Sequence, residues 1–301
     1  PGFIDVHGHV EGGESRNPLA GNFIYDGVTT VITGNCGGSA DNLNTYFNTV
    51  DSIGTSINIA SLMGHNNIRK QVMGTANRNA TEEELVKMEF LTQKAMQDGA
   101  VGMSTGLIYI PGTYAPTEEV VRLAKVISAN GGVYSSHIRY EEDKVVDAVN
   151  EAIHIGRAAN IPVEISHFKV SGQNNWGRSK ETLPLVENAR KEGIDVTIDQ
   201  YPYTASSTNL GVMLPSDVLS DGQDSIMARL KNPAIRERVK AHSIGIIKKR
   251  VLKHFSYAVV ANYKADSTYN GKSIEEINLM RGGKHNKNAE AETIVQMMEQ
   301  G

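Results

Sequence analysis

The sequence predicts an α/β fold: a TIM-type (β/α)8 barrel that is incomplete, with about seven strands and an insertion after the seventh. Three observations carry this expectation. Strand-like and helix-like segments alternate from residue 1 to about 205, and such alternation means a parallel sheet with helical crossovers. Seven units repeat in one order, which favours a barrel over a doubly wound sheet. The length, 301 residues, suits one undivided domain of this kind.

The first strand is Phe3-Ile4-Asp5-Val6, running into His7-Gly8-His9. A β-branched run at 29–33 ends at Gly34-Asn35-Cys36, and a third strand at 57–63 ends at Gly64-His65-Asn66. The helix expected over 82–97 has Thr81 as N-cap, Glu84 completing a capping box, and Gly99 just past its end. Small residues at 99–106 make a fourth strand, followed by a loop through Tyr109 and Tyr114 and a helix near 118–129. The fifth strand, 133–138, carries His137 near its end. The helix expected over 143–160 has an apolar stripe at Val145, Val149, Ala152, Ile153 and Ala159. Strand six, 162–167, ends at His167. A helix near 180–192 then leads to strand seven, 195–199, and to Tyr201-Pro202-Tyr203.

After residue 205 the rhythm breaks. Residues 206–270 read as an insertion, expected to close over the active-site rim as a lid, with a basic helix near 234–253 and one further strand within 251–260. Short helices follow near 268–283 and 289–299. Pro1 opens in mid-strand and no eighth barrel strand follows, so sequence is expected to be missing at both ends. The open edges this leaves at strands one and seven are expected to make residues 1–301 poorly soluble alone.

Composition narrows the function classes. Hydrophobic residues make up 40%, charged residues 21%, and the net charge is −4, ordinary values for a soluble globular protein. There is no basic face to suggest nucleic acid and no apolar run of the ~18 residues that a membrane span needs. The one cysteine excludes an internal disulfide and suits a reducing, cytoplasmic compartment.

Chemistry concentrates where such a fold places its active site, at the C-terminal ends of strands. His7 and His9, two residues apart, share one face of an extended strand. With Cys36, His137 and His167 they make five candidate metal ligands on one rim, a nitrogen and sulfur set suited to zinc. Each alone has a plainer explanation: a solvated loop histidine, a hydrogen-bonded strand end, a small core thiol. Five on one rim favour a metal.

The opening Pro1-Gly2-Phe3-Ile4-Asp5-Val6-His7-Gly8-His9 resembles the first barrel strand of the amidohydrolase superfamily. Gly34-Asn35-Cys36-Gly37, Gly64-His65-Asn66-Asn67-Ile68-Arg69, Ser104-Thr105-Gly106-Leu107-Ile108-Tyr109 and Pro111-Gly112-Thr113-Tyr114-Ala115 resemble its D-aminoacylase (N-acyl-D-amino-acid deacylase) branch. His137-Ile138-Arg139, Ile165-Ser166-His167-Phe168-Lys169 and Asp199-Gln200-Tyr201-Pro202-Tyr203 continue the likeness in order. The resemblance implies a tightly held zinc on Cys36, His137 and His167, with His7 and His9 at a weaker or second position. If so, sulfur and nitrogens should lie within roughly 3–4.5 Å of one another.

It also implies zinc-dependent hydrolysis of N-acyl-D-amino acids, small-molecule substrates, to a carboxylate and a free D-amino acid. A general-base aspartate belongs at the end of strand eight, so no catalytic base is expected within 1–301, and the fragment alone is expected to be inactive. Lys169, Tyr201 and Ser207 correspond to positions that meet the substrate's carboxylate. Tyr109 and Tyr114 would wall the acyl pocket, although loop packing or a salt bridge explains these residues equally well. His65 is either a ligand or a hydrogen-bonder that orders its loop, and Asp199 reads as a buried hydrogen-bonding residue. His154, His242, His254 and His285 read as surface residues. Two alternatives stand beside the deacylase. One is a cyclic-amide, dihydroorotase-like hydrolase, against which Cys36 argues; the other is an inactive metal-binding module.

Overall fold

The structure is a computed structural model and describes residues 1–300. Eight strands form, all pairing in parallel: β1 (Phe3–Asp5), β2 (Val28–Thr33), β3 (Asn58–Ser61), β4 (Met63–Gly64), β5 (Gly102–Gly106), β6 (Val133–His137), β7 (Val163–Ile165) and β8 (Val196–Ile198). They fall into two sheets, of order β1-β2-β3 and β4-β5-β6-β7-β8. Sequence neighbours are therefore spatial neighbours throughout, as short helical crossovers dictate.

The strand expected over 57–63 is split in two because Leu62 is where the chain changes partners. The Leu62 N–H donates to the Thr33 carbonyl at 2.8 Å, while the Ser61 carbonyl accepts from Val101 N at 3.0 Å. Among the described residues β1 and β8 each pair on one side, and Phe3 and Ile4 are exposed.

The core lies between the β4–β8 sheet and its helices. Met103, Tyr134, Ile165 and Val196 come from the strands, and Leu123, Ile127 and Val149 come from the helices, all buried. β5 is wholly buried and built of small residues because its neighbours press close. A Cβ at Gly102 would lie 2.2 Å from the Val133 carbonyl oxygen. The capping box forms as expected: Thr81 caps Glu82–Gln97, and Glu84 reaches back to the cap. The apolar stripe of Val145–Ala159 is buried along its length.

The helices Gly21–Ile24, Leu43–Ile53, His65–Met73 and Gln223–Leu230 were not foreseen. His65 thus opens a helix rather than sitting in a loop. There it accompanies Arg69 in a buried cluster with Glu119.

The chain divides into two units, one of 1–170 and 177–201, the other of 171–176 and the chain from Pro202 on. The expected insertion, 206–270, lies inside the second unit, which also takes in the helices Ile274–Met280 and Lys287–Gln300. This unit is helical, with a core around Phe255, Val239, Ile277 and Ile294. The strand expected within 251–260 is not there. Turns around the buried Phe255 interrupt the run, leaving one antiparallel bridge between Val259 and Ser273. Among the described residues no helix is long and apolar enough to cross a membrane.

Candidate metal centre

The five expected ligands all lie at or just past strand ends. β1 stops at Asp5, yet the Gly8 N–H still bonds the Ile32 carbonyl at 2.9 Å. The rings of His7 and His9 therefore stay adjacent, 5.3 Å apart and edge to face. Cys36 follows β2, His137 is the last residue of β6, and His167 follows β7. Cys36 (φ +55°) and His167 (φ +38°) both lie in the left-handed region. Non-glycine residues are held there only where the surroundings over-determine them, often at functional sites. The Cys36 turn is held from below by glycines. A Cβ on Gly106 would meet the Cys36 carbonyl oxygen at 2.1 Å, and one on Gly37 would meet Asn66 Oδ1 at 2.4 Å. Asn35 ties the ends of β1 and β2 together, donating to the carbonyls of Val6, Gly8 and Ile32.

His167 is the shared point of the rim. Its Nε2 lies 3.9 Å from Cys36 Sγ and 2.9 Å from His137 Nδ1. His7 Nε2 lies 3.4 Å from the same sulfur. The candidate donor atoms of His7, Cys36 and His167 all fall within 4.8 Å of one another. Tetrahedral zinc, with bonds near 2.0–2.3 Å, puts its ligands roughly 3.3–3.7 Å apart, so the spacing suits an ion. His7, expected at a second position, is as close to Cys36 as His167 is. Several lone-pair atoms facing one another cannot all be satisfied by the few protons between them. His137 Nε2 is buried with no hydrogen bond, and Glu141 Oε1 lies 3.5 Å away. The residues present fit a divalent cation.

Electrostatics point the same way. Burial lowers the His137 pKa to about 3, overcoming the raising effect of Glu141, so the imidazole is neutral, the form that binds metals. Burial, followed by the carboxylates of Glu141 and Asp199, pushes the Cys36 thiol up to about 12. Metal binding has to displace that proton. His7 Nδ1 bonds Asp199 Oδ2 at 2.8 Å, which leaves Nε2 turned to the sulfur, the usual carboxylate support of a ligating histidine. Asp199 also accepts from the His167 N–H at 2.6 Å, the hydrogen-bonding role expected of it. Behind it stands Glu164, which shares a hydrogen bond with Asp199 and accepts from Ser135 and Ser166 hydroxyls.

Glu141 was not foreseen. It sits four residues beyond His137, 3.2 Å from His167 Nδ1 and 2.6 Å from Lys169 Nζ. Burial alone would raise its pKa, but the His167 hydrogen bond and the Lys169 ammonium hold it down at about 2. Lys169 thus stands on the rim, salt-bridged, with its ammonium 5.6 Å over the Tyr201 ring. Tyr109 packs edge to face on His137 at 4.9 Å. Tyr114 closes the short turn Gly112–Tyr114, which Arg139 fixes by donating to the Thr113 and Ala115 carbonyls. Ser207 is an exposed residue of the second unit.

His65 bonds Glu119 at 2.9 Å and is fully buried away from this donor set, a structural hydrogen-bonder. His154 and His242 are exposed on helices. His254, expected at the surface, is instead partly buried and pairs with Glu290.

No family model matches the chain. It is 40% identical over 233 residues to D-aminoacylase of Alcaligenes xylosoxydans xylosoxydans, a match covering 70% of this chain and 48% of that protein. A crystal structure of D-aminoacylase, described as defining a novel subset of amidohydrolases, aligns over 99% of this chain and 58% of its own, with a TM-score of 0.76 and 31% identity. N-acyl-D-glutamate deacylase from Bordetella bronchiseptica, complexed with zinc and a phosphonate inhibitor, aligns over 98% of this chain and 58% of its own, with a TM-score of 0.75 and 30% identity. The chain spans about half the length of the curated relatives it matches.

Proposed function

We propose that this chain, which belongs to the D-aminoacylase family of the amidohydrolase superfamily, supplies the zinc centre of an enzyme that hydrolyses N-acyl-D-amino acids to a carboxylate and a free D-amino acid. The observation that carries this is the meeting of His7 Nε2, Cys36 Sγ and His167 Nε2 at strand ends, with His137 against His167. Cys36, His137 and His167 are assigned the tight site, and His7 and His9 complete it or hold a second ion. Zinc bound there supplies Lewis-acid polarisation of the amide carbonyl and acidifies a water.

The chain's own groups do the rest. Asp199 fixes the His7 tautomer so that Nε2 faces the sulfur. Lys169, paired with Glu141, meets the substrate's carboxylate together with Tyr201, and Tyr109 walls the acyl side. Arg139 and Arg178 pair with Glu151 and Glu181 and Lys169 with Glu141; Lys169 is assigned this task because it stands beside His167 on the rim. Glu141, Asp199 and Glu164 are all engaged by neighbours, so the base that takes the water's proton is assigned to none of them.

The test is hydrolysis by the zinc-loaded protein at its full natural length, with N-acetyl-D-methionine, N-acetyl-D-glutamate and N-acetyl-L-methionine as substrates. The expected result is turnover of a D substrate, none of the L enantiomer, and loss on His167→Ala. Preference for the L enantiomer, or full activity in His167→Ala, would refute the assignment.

A further inference from the structure

The second unit gathers two histidines and two glutamates that the proposed chemistry does not use. His254 lies in the loop after the helix Pro233–Lys249, Glu275 in the helix Ile274–Met280, and His285 just beyond that helix. Glu290 lies in the helix Lys287–Gln300. His254 Nδ1 stands 2.6 Å from Glu290 Oε1 and 3.7 Å from Glu275 Oε1. His285 Nε2 stands 2.5 Å from the same Glu275 oxygen. The two imidazoles stack at 4.4 Å, and one donor atom from each of the four residues falls within 4.8 Å of all the others.

We propose that His254, Glu275, His285 and Glu290 form a second metal site, structural and distinct from the rim, that binds a divalent cation of the zinc class. Two features single it out from an ordinary ion-pair cluster. The Glu290 side chain is fully buried, and a buried carboxylate needs a compensating charge. Its second oxygen accepts from the Phe255 N–H at 2.8 Å, which aims the first at the cluster, as outer contacts do for metal ligands. Each carboxylate faces one imidazole nitrogen, Glu290 that of His254 and Glu275 that of His285; a cation bound among them would replace those protons and take one donor atom from each of the four residues. Two imidazoles and two carboxylates make a closed, four-ligand set of the structural type. The bound ion would tie three segments of the unit together and raise its stability by mass action.

The test uses the metal-free chain, equilibrated with buffered zinc and analysed for bound metal. With the rim disabled by Cys36→Ala and His167→Ala, the chain is expected to retain one zinc. Adding His285→Ala or Glu275→Gln should weaken that binding at least tenfold without changing the far-ultraviolet circular dichroism. Cobalt at this site should show ligand-field bands without a thiolate charge-transfer band. In the otherwise unaltered chain, His285→Ala should lower the zinc content by one equivalent and leave the Cys36 thiolate band intact, a readout that survives if the rim variants do not fold. No zinc in the folded rim-disabled chain overturns the proposal, as does uptake indifferent to both His285→Ala and Glu275→Gln.

Discussion

Replacing Glu119 with Gln tests whether the cluster beneath the rim is structural. Glu119 is 3% exposed, and His65 and Arg69 are 0% exposed. One Glu119 oxygen bonds His65 Nε2 at 2.9 Å, and the other pairs with Arg69 Nη1. Arg69 Nη2 is spent on the Arg78 carbonyl at 2.6 Å, and its Nε has no partner. Glutamine keeps the shape but removes the carboxylate that Arg69 pairs with. Leaving a buried guanidinium uncompensated costs about 3–5 kcal/mol. For a domain of this size that corresponds to a fall in Tm of roughly 6–20 °C. Urea unfolding of the metal-free protein gives the free energy, and metal analysis of the same variant gives zinc content. A loss below about 1 kcal/mol, or loss of zinc at full stability, would refute the structural role given to His65 and Glu119.

Other consequences are as direct. Thr81→Ala removes one half of the capping box on Glu82–Gln97 and should cost about 1 kcal/mol in denaturant unfolding. Burial, then the Asp199 hydrogen bond, raises the Glu164 pKa to about 8. A raised folded-state pKa gives stability that is whole below the ordinary carboxylate range and is lost as pH rises through about 8. The metal-free protein should therefore weaken on that side, and Glu164→Gln should flatten the profile; an unchanged profile in Glu164→Gln would contradict this. Lys169→Met should raise KM for N-acyl-D-amino acids more than it lowers kcat, because it removes a binding charge. A pure kcat defect would assign Lys169 elsewhere.

Much of this was readable in the sequence because it is local. The Thr81 and Glu84 pair, the stripe from Val145 to Ala159 and the histidines closing strands all announce themselves within a few residues. The helix Leu43–Ile53 could have been found too, since Asn42 accepts from Thr45 N–H and Gly54 ends it at φ +72°. His65–Met73 carried no such signal, because its cap, Gly64, has no side chain to show. What stayed hidden depends on tertiary pairing. Glu141 acquires its role only because His167 and Lys169 return to it. Asp199 supports His7 across 192 residues. The cluster from His254 to Glu290 joins groups 36 residues apart whose separate patterns mean nothing.

The central claim is that Cys36 shares one metal ion with the rim histidines. Zinc-edge X-ray absorption tests it most directly, on His285→Ala protein loaded with one equivalent of zinc. The expected spectrum has a single sulfur neighbour at about 2.3 Å among nitrogen or oxygen ligands at about 2.0–2.1 Å. Cys36 is the one cysteine in the chain, so Cys36→Ala should erase that sulfur shell. A zinc shell of nitrogen and oxygen alone in the protein that retains Cys36 would contradict the claim.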